Sequence, residues 1–155
     1  MPDGTLPTAI TGREFVRRWK AAADPLSPIV PGRKYPVAAA TAFPIGENAR
    51  AGQAVALLRS AGKLAHQARC LALGELLYAS HAGYSAMGLG CPETDEMVAA
   101  VRALGPKQGF YGARVSGGGS GGTVVVLLER KALPRLEALM RRLRFRDDFT
   151  PQLLF

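Results

Sequence analysis

Cysteine is scarce in this sequence of 155 residues. Cys70 and Cys91 are the only two, and they lie far apart in no Cys-x-x-Cys pattern. A chain of this length buries roughly two-thirds of its unfolded surface, which is enough for a single-domain core without covalent staples. The count therefore argues against a disulfide framework, and a reducing compartment is the default expectation.

Long apolar runs are also lacking. No stretch approaches the ~20 consecutive apolar residues that a membrane span requires. Residues 1–7 contain no basic stretch followed by an apolar one, so no signal peptide is predicted. Together these absences predict a cytoplasmic protein without a membrane partner.

Acidic residues are in the minority, 12 against 20 lysines and arginines, and the net charge is +8. Residues 130–146 contain one acidic residue, Glu137, and seven basic residues: Arg130, Lys131, Arg135, Arg141, Arg142, Arg144 and Arg146. Such a patch is typical of nucleic-acid binders, but Phe145 is the sole aromatic residue there, so no stacking platform is present. Apolar residues recur at helical spacing in the same window, which makes the arginines the solvated face of an amphipathic helix. Nucleic-acid binding remains an alternative, which steep salt dependence would reveal.

The first half of the chain predicts helices after a proline-rich start. We expect residues 1–34 to form a lead-in segment packed on a domain of residues 35–155, with one short helix over about 13–23. Residues 34–43 are predicted as a strand that Pro44 ends. Helices are predicted from 47 to about 60 and from about 63 to 80, followed by a loop because Gly83, Gly88 and Gly90 interrupt the pattern.

The second half of the chain has clearer signals for where its helices and strands begin and end. Pro92 and the acidic residues behind it predict a helix over 92–104, which Gly105 caps. Two strands, "GFYGARVS" and "GTVVVLLE", are expected to pair antiparallel; a last helix follows from Pro134 to about Leu143, and "PQLLF" is a candidate final strand. The predicted fold class is α+β, a small antiparallel sheet covered by helices.

The glycine-rich segment between those two strands is the main functional candidate. Glycine accepts positive φ and lets backbone N–H groups approach a ligand, and a concavity of N–H groups binds anions such as phosphate. A flexible linker is the alternative, but linkers are rarely fused directly to a run such as Thr123–Leu128. Gly117, Gly119 and Gly122 match G-x-G-x-x-G, yet a strand follows where the dinucleotide-binding fingerprint needs a helix. A strand–glycine segment–strand phosphate site is therefore predicted.

The stretch "YGARVSGGGSGG" resembles the third motif of the GHMP kinases, a family of small-molecule kinases. The resemblance covers about residues 5–155 and extends over "GENARAGQAVALL", "LGELLYASHAGYSAMGLG" and "PETDEMVAAV". Together, "YPVAAATAFPIGENAR" and "SHAGYSAMGLG" are most similar to the L-arabinokinase type of the galactokinase-like branch, and Ser120 stands where galactokinases often have phenylalanine. The resemblance implies the fold of a GHMP kinase C-terminal domain.

The resemblance also implies a function: the C-terminal half of an ATP-dependent monosaccharide kinase, with ATP and Mg²⁺ as cofactors. The glycine segment would help to hold the ATP phosphates through Ser116, Gly117, Gly118, Gly119, Ser120, Gly121 and Gly122. The N-terminal nucleotide motif and the acidic residue of complete members are not found, so we expect Mg²⁺ to be bound mainly by another half and the chain to be inactive alone. A separate N-terminal half or self-association is the expected partnership. The alternative is a non-catalytic remnant that binds a nucleotide or a partner.

Other polar residues were weighed for chemistry. Ser80, His81, Tyr84 and Arg114 are candidate substrate residues at the border of a sugar pocket. The pattern favours placing the first three at a helix end packed under the glycine segment, and Arg114 can either approach a phosphate or equally point to solvent. No residue is assigned a catalytic role. His66, Cys70, His81 and Cys91 lack the paired short spacings of structural zinc sites, so no metal site is assigned.

Overall fold

The computed structural model describes residues 6–20, 28–60, 62, 64–117 and 122–143. Two short 3₁₀ turns, Pro106–Gln108 and Arg130–Ala132, join the longer elements. Those elements, in chain order, are β1 (Ile10–Thr11), α1 (Gly12–Trp19), β2 (Lys34–Tyr35), α2 (Val37–Arg59), α3 (His66–Ala86), α4 (Pro92–Leu104), β3 (Phe110–Ser116), β4 (Thr123–Leu128) and α5 (Leu133–Arg142).

The strands form two small antiparallel sheets, and helices cover them. β1 pairs with β2, with Ile10 opposite Tyr35. β3 pairs with β4, and the ladder ends where Ser116 lies opposite Thr123. The predicted α+β class and the predicted hairpin are therefore confirmed. β1 lies in the predicted lead-in segment, and its partner β2 spans the predicted boundary between that segment and the domain. The boundary after residue 34 stays a prediction.

The core lies where α4 and α5 pack against the β3–β4 sheet. Val101, Phe110 and Ala113 have no exposed surface, and Leu136 and Met140 of α5 pack against the same cluster. Burying a valine, leucine or phenylalanine side chain contributes roughly 1.5–3 kcal/mol relative to leaving it exposed. The apolar stripe predicted for the last helix is confirmed, and the described basic residues of the 130–146 window lie on the exposed side.

Helix α3 lies along β3 at very close range. A Cβ on Gly74 would overlap the carbonyl oxygen of Tyr111, and a Cβ on Gly112 would lie 2.5 Å from the Cα of Gly74. Later contacts join His81 to Val115 and Tyr84 to Gly117. Each successive contact involves a later residue of α3 and a later residue of β3. The helix therefore runs in the same direction as the strand, and its last turns lie at the end of the strand.

The predicted strand over 34–43 is wrong beyond its first two residues. Helix α2 begins at Val37 and continues through Pro44 to Arg59. Proline removes one backbone donor from a helix, but the residues before it include alanines at 38–40 and 42, and alanine is the strongest helix former. The hydroxyl of Thr41 also donates to the carbonyl of Val37 at 2.9 Å within this first part of the helix.

The predicted loop after residue 80 is also wrong at its start, because α3 continues through Gly83 to Ala86. Gly83 serves close packing: a Cβ there would lie 2.7 Å from the ring of Phe43 on α2. The turn comes at Gly88, which has a φ of +84°. The candidate strand "PQLLF" and the end of the first predicted helix lie outside the described residues. Within the described part of the chain, no helix is long and apolar enough to cross a membrane.

Candidate functional site

The glycine segment, residues 116–122, connects the paired ends of β3 and β4. Gly117 has a φ of +83° and Gly122 a φ of +99°, conformations that favour glycine. A Cβ at either position would meet no atom of the described residues within 4 Å, so neither glycine is packed against the described part of the domain. Gly118, Gly119, Ser120 and Gly121 lie outside the described residues.

Tyr84 reaches this segment from the last turns of α3. Its hydroxyl donates to the carbonyl oxygen of Gly117 at 2.8 Å. Its ring packs edge-on against Phe43, with centroids 4.8 Å apart, and the guanidinium of Arg114 lies 5.5 Å from the ring centroid. The aromatic ring is thus held on two sides while its hydroxyl bonds the first glycine after β3.

Arg114 points inward to a carboxylate. Its Nη1 donates to Oε1 of Glu47 at 2.7 Å, and its Nε donates to the carbonyl of Val115 at 2.8 Å. The side chain is 22% exposed. Arg114 therefore lies in an ion pair and does not extend freely into solvent, and its approach to a phosphate stays a prediction.

Glu47 is the centre of this polar cluster. The hydroxyl of Ser80 lies 2.8 and 2.9 Å from its two carboxylate oxygens, and Arg50 donates to it at 3.0 Å. Burial raises the pKa of Glu47, but the hydrogen bonds from Ser80 and Arg50 and the charge of Arg114 together bring the pKa below its usual value. The carboxylate is therefore ionised at neutral pH and joins α2, α3 and β3.

His81 is buried beside the same strand. Its Nδ1 accepts from the backbone N–H of Val115 at 3.3 Å, and its Nε2 lies 3.1 Å from Oδ1 of Asp95, which also accepts from Ser85. Burial lowers the pKa of His81 and the charge of Arg114 adds to this effect, while Asp95 opposes it. An Nδ1 that accepts and an Nε2 that donates describe a neutral imidazole of fixed tautomer.

Comparison with known proteins decides the family. The family model described as "GHMP kinases C terminal" matches residues 55–143, more than half of the chain. The chain belongs to the GHMP kinases. An L-arabinokinase of Arabidopsis thaliana is 38% identical to this GHMP kinase domain over 128 residues, which are 79% of the chain and 12% of that protein.

Further relatives of the GHMP kinase domain come from the same family. The galactokinase of Homo sapiens is 38% identical over 91 residues, which are 58% of the chain and 21% of that protein. A mevalonate kinase of Saccharolobus solfataricus is 36% identical over 69 residues, 44% of the chain and 19% of that protein. The chain thus spans less than a quarter of the length of these relatives.

In this GHMP kinase domain, the four candidate substrate residues are close neighbours. Ser80, His81 and Tyr84 lie on α3 and not in a loop, and all three contact β3, its arginine or the glycine segment directly or through Glu47. The sequence does not predict the bonds of Glu47 to Ser80 and Arg114, because these partners lie 33 and 67 residues away and leave no local signal.

The four cysteines and histidines weighed as metal ligands have other neighbours. His66 Nε2 lies 3.5 Å from the Cys70 sulfur, His81 contacts Asp95, and the Cys91 sulfur lies 3.4 Å from the Thr94 hydroxyl. Over the residues that the structure describes, no group of three or more His, Cys, Asp and Glu side chains is arranged to hold a metal ion.

Proposed function

We propose that this domain is the C-terminal part of an ATP-dependent monosaccharide kinase of the L-arabinokinase and galactokinase type, in which the glycine segment helps to hold the ATP phosphates. The observation that carries the proposal is the backbone at Gly117 and Gly122. Both have positive φ, and no described residue fills the space where a side chain would stand, in a chain of the GHMP family.

The residues present fit a phosphate ligand. Glycines that start and end the segment leave room for backbone N–H groups to come within hydrogen-bonding distance of phosphate oxygens, a role open to residues 116–122. Phosphoryl transfer depends mainly on positioning and charge neutralisation. ATP would bring Mg²⁺, which we assign mainly to residues of the N-terminal part of such a kinase.

The monosaccharide would bind near the cluster around Tyr84 and Arg114. The Tyr84 hydroxyl bonds Gly117 and the guanidinium of Arg114 lies over the Tyr84 ring. Ser80 and His81 are buried, at 2% and 8% exposure, and act through their neighbours. None of these residues is proposed to carry out the chemical step. We propose that the domain alone does not turn over sugar and needs an N-terminal half, supplied by a separate chain or by the same one.

Nucleotide binding by the full 155-residue chain provides the direct test. We expect MgADP binding in isothermal titration calorimetry, weakened roughly tenfold by Gly117→Ala because alanine is strained at positive φ. Gly62→Ala is the matched control, since Gly62 has the same φ of +83° and equally open surroundings. It precedes α3, at the end of that helix opposite to Tyr84, so its substitution should leave binding unchanged.

The reaction itself requires complementation. We expect no sugar-dependent ADP formation by the chain alone with L-arabinose or galactose, and turnover when the N-terminal part of a related kinase is added. MgADP binding without turnover in the mixture would favour the alternative, a nucleotide-binding remnant. Absence of MgADP binding to the wild-type chain would refute the phosphate role of the glycine segment.

A further inference from the structure

The edge of β3 that faces α3 is bonded by side chains. The N–H of Val115 donates to His81 Nδ1, and the carbonyl of Val115 accepts from Arg114 Nε. Two residues on, the carbonyl of Gly117 accepts from the Tyr84 hydroxyl. Three backbone groups at this end of β3 are thus bonded by two residues of α3 and one of β3 itself.

The alternation of a β-strand explains why these groups belong together. In an antiparallel ladder, the N–H and C=O of one residue point to the same side, and every second residue shares that side. Val115 therefore presents both of its backbone groups to the edge away from β4, and the carbonyl of Gly117, one residue beyond the ladder, is bonded from α3 as well. A further strand would normally bond these groups, and here side chains take its place.

Helix and strand keep in step along this edge. From Gly74 to His81 the helix rises about 10 Å over seven residues, and from Gly112 to Val115 the strand advances about 10 Å over three. The close contact of Gly74 with Gly112 and the hydrogen bond of His81 with Val115 are therefore both satisfied by one relative position of α3 and β3. The next turn of the helix brings Tyr84 to Gly117, where the glycine segment leaves the strand.

Resting on the proposed function, we infer that Tyr84 is a positioning residue for nucleotide binding and does not touch the nucleotide. Its hydroxyl holds the carbonyl of Gly117, and so determines the direction in which the chain leaves β3. Phe43 and Arg114 hold the ring in turn. A backbone whose direction is already fixed at Gly117 loses less conformational freedom when phosphate binds beyond it, and this preorganisation strengthens binding.

Tyr84→Phe tests the inference, because it removes the hydroxyl and keeps the ring between its two neighbours. We expect about fivefold weaker MgADP binding by calorimetry, the effect of one net hydrogen bond. Tyr35→Phe is the matched control: the Tyr35 hydroxyl bonds the backbone N–H of Val30 at 3.0 Å in an equally exposed place. Both variants are compared with wild type at a temperature where circular dichroism shows all three folded.

A second measurement, by NMR spectroscopy, tests the inference without a ligand. The carbonyl ¹³C resonance of Gly117 should shift in Tyr84→Phe and stay in place in Tyr35→Phe, since only the first removes its hydrogen-bond donor. Wild-type MgADP affinity in Tyr84→Phe, an equal loss in Tyr35→Phe, or an unmoved Gly117 resonance overturns the inference and leaves the proposed function intact. Failure of the wild-type chain to bind MgADP is a different result, which removes the proposed function and the inference with it.

Discussion

At the scale of single residues, Glu47 shows how a carboxylate organises a site without being proposed as a reactant. It accepts hydrogen bonds from Ser80, Arg50 and Arg114, with its side chain 27% exposed. Removing one partner of such a cluster leaves charged groups without compensation, which costs more than the bond itself contributes. Arg114 is thereby kept against β3, close to the start of the glycine segment.

His81 gives the domain a pH-dependent stability. Its pKa in the folded protein lies below its usual value of 6.5, so the unfolded chain binds more protons between these two values. Stability from His81 is therefore complete above about pH 6.5 and is lost as the pH falls towards the folded pKa. We expect urea unfolding at about pH 5, 6 and 8 to show a steeper rise for wild type than for His81→Gln, by at most about 1.4 kcal/mol per pH unit.

Direct titration provides the control for this prediction. The chain has two histidines, so a His66→Gln variant leaves His81 as the only imidazole signal in a proton NMR titration. Asp95, Arg114 and Ser85 are the charged and polar groups around it. A midpoint at or above 6.5 would contradict the assignment of a buried neutral imidazole.

At the scale of elements, the second half of the chain was predicted well because its signals are local. Pro92 and Gly105 mark the ends of α4, and Gly105 indeed has a φ of +68° while its N–H donates to Val101. The strands on either side of the glycines are rich in β-branched residues, which favour strands. Where start, stop and periodicity lie within one element, the sequence is sufficient.

The first half was predicted less well because its glycines and its proline act through distant packing. Proline and glycine commonly end helices, yet Pro44 lies inside α2 and Gly83 lies inside α3. Gly83 is needed where the ring of Phe43 comes close, a contact between residues forty positions apart. The site divides in the same way: the glycine segment was found from sequence, whereas the bonds of Glu47 connect three elements and have no local signal.

The glycine crossing of α3 and β3 gives a sharp test at this scale. Gly74→Ala places a methyl group on the carbonyl oxygen of Tyr111, and neither backbone can retreat without breaking the sheet or the helix. We expect a loss of at least about 3 kcal/mol in the free energy of unfolding, measured by urea denaturation. Gly52→Ala, in open space on α2, should instead stabilise the protein by roughly 0.5–1 kcal/mol. Equal effects of the two substitutions would contradict the close crossing.

At the scale of the whole molecule, α2 leaves apolar side chains exposed along its length. None of its described side chains is buried, and Ile45 and Leu58 are 70% and 61% exposed. Exposed apolar surface of this kind favours association. Self-association of the isolated chain stays a prediction, and so does its dependence on this helix.

Sedimentation velocity can test that prediction. We expect the wild-type chain to form oligomers that persist at high salt, because apolar contacts are not screened as charge pairs are. Ile45→Asp combined with Leu58→Asp should shift the chain towards the monomer, whereas Val16→Asp on α1 should have little effect. A wild-type chain that sediments as a clean monomer would contradict the expectation.

The occupied edge of β3 has a consequence for how the chain meets other copies of itself. An exposed strand edge with free N–H and C=O groups is a template on which a foreign strand can add, the first step of cross-β fibril growth. Both backbone groups of Val115 and the carbonyl of Gly117 offer no such template, because His81, Arg114 and Tyr84 already bond them. The contacts that hold Val115 and Gly117 thus also oppose amyloid-like addition at these groups.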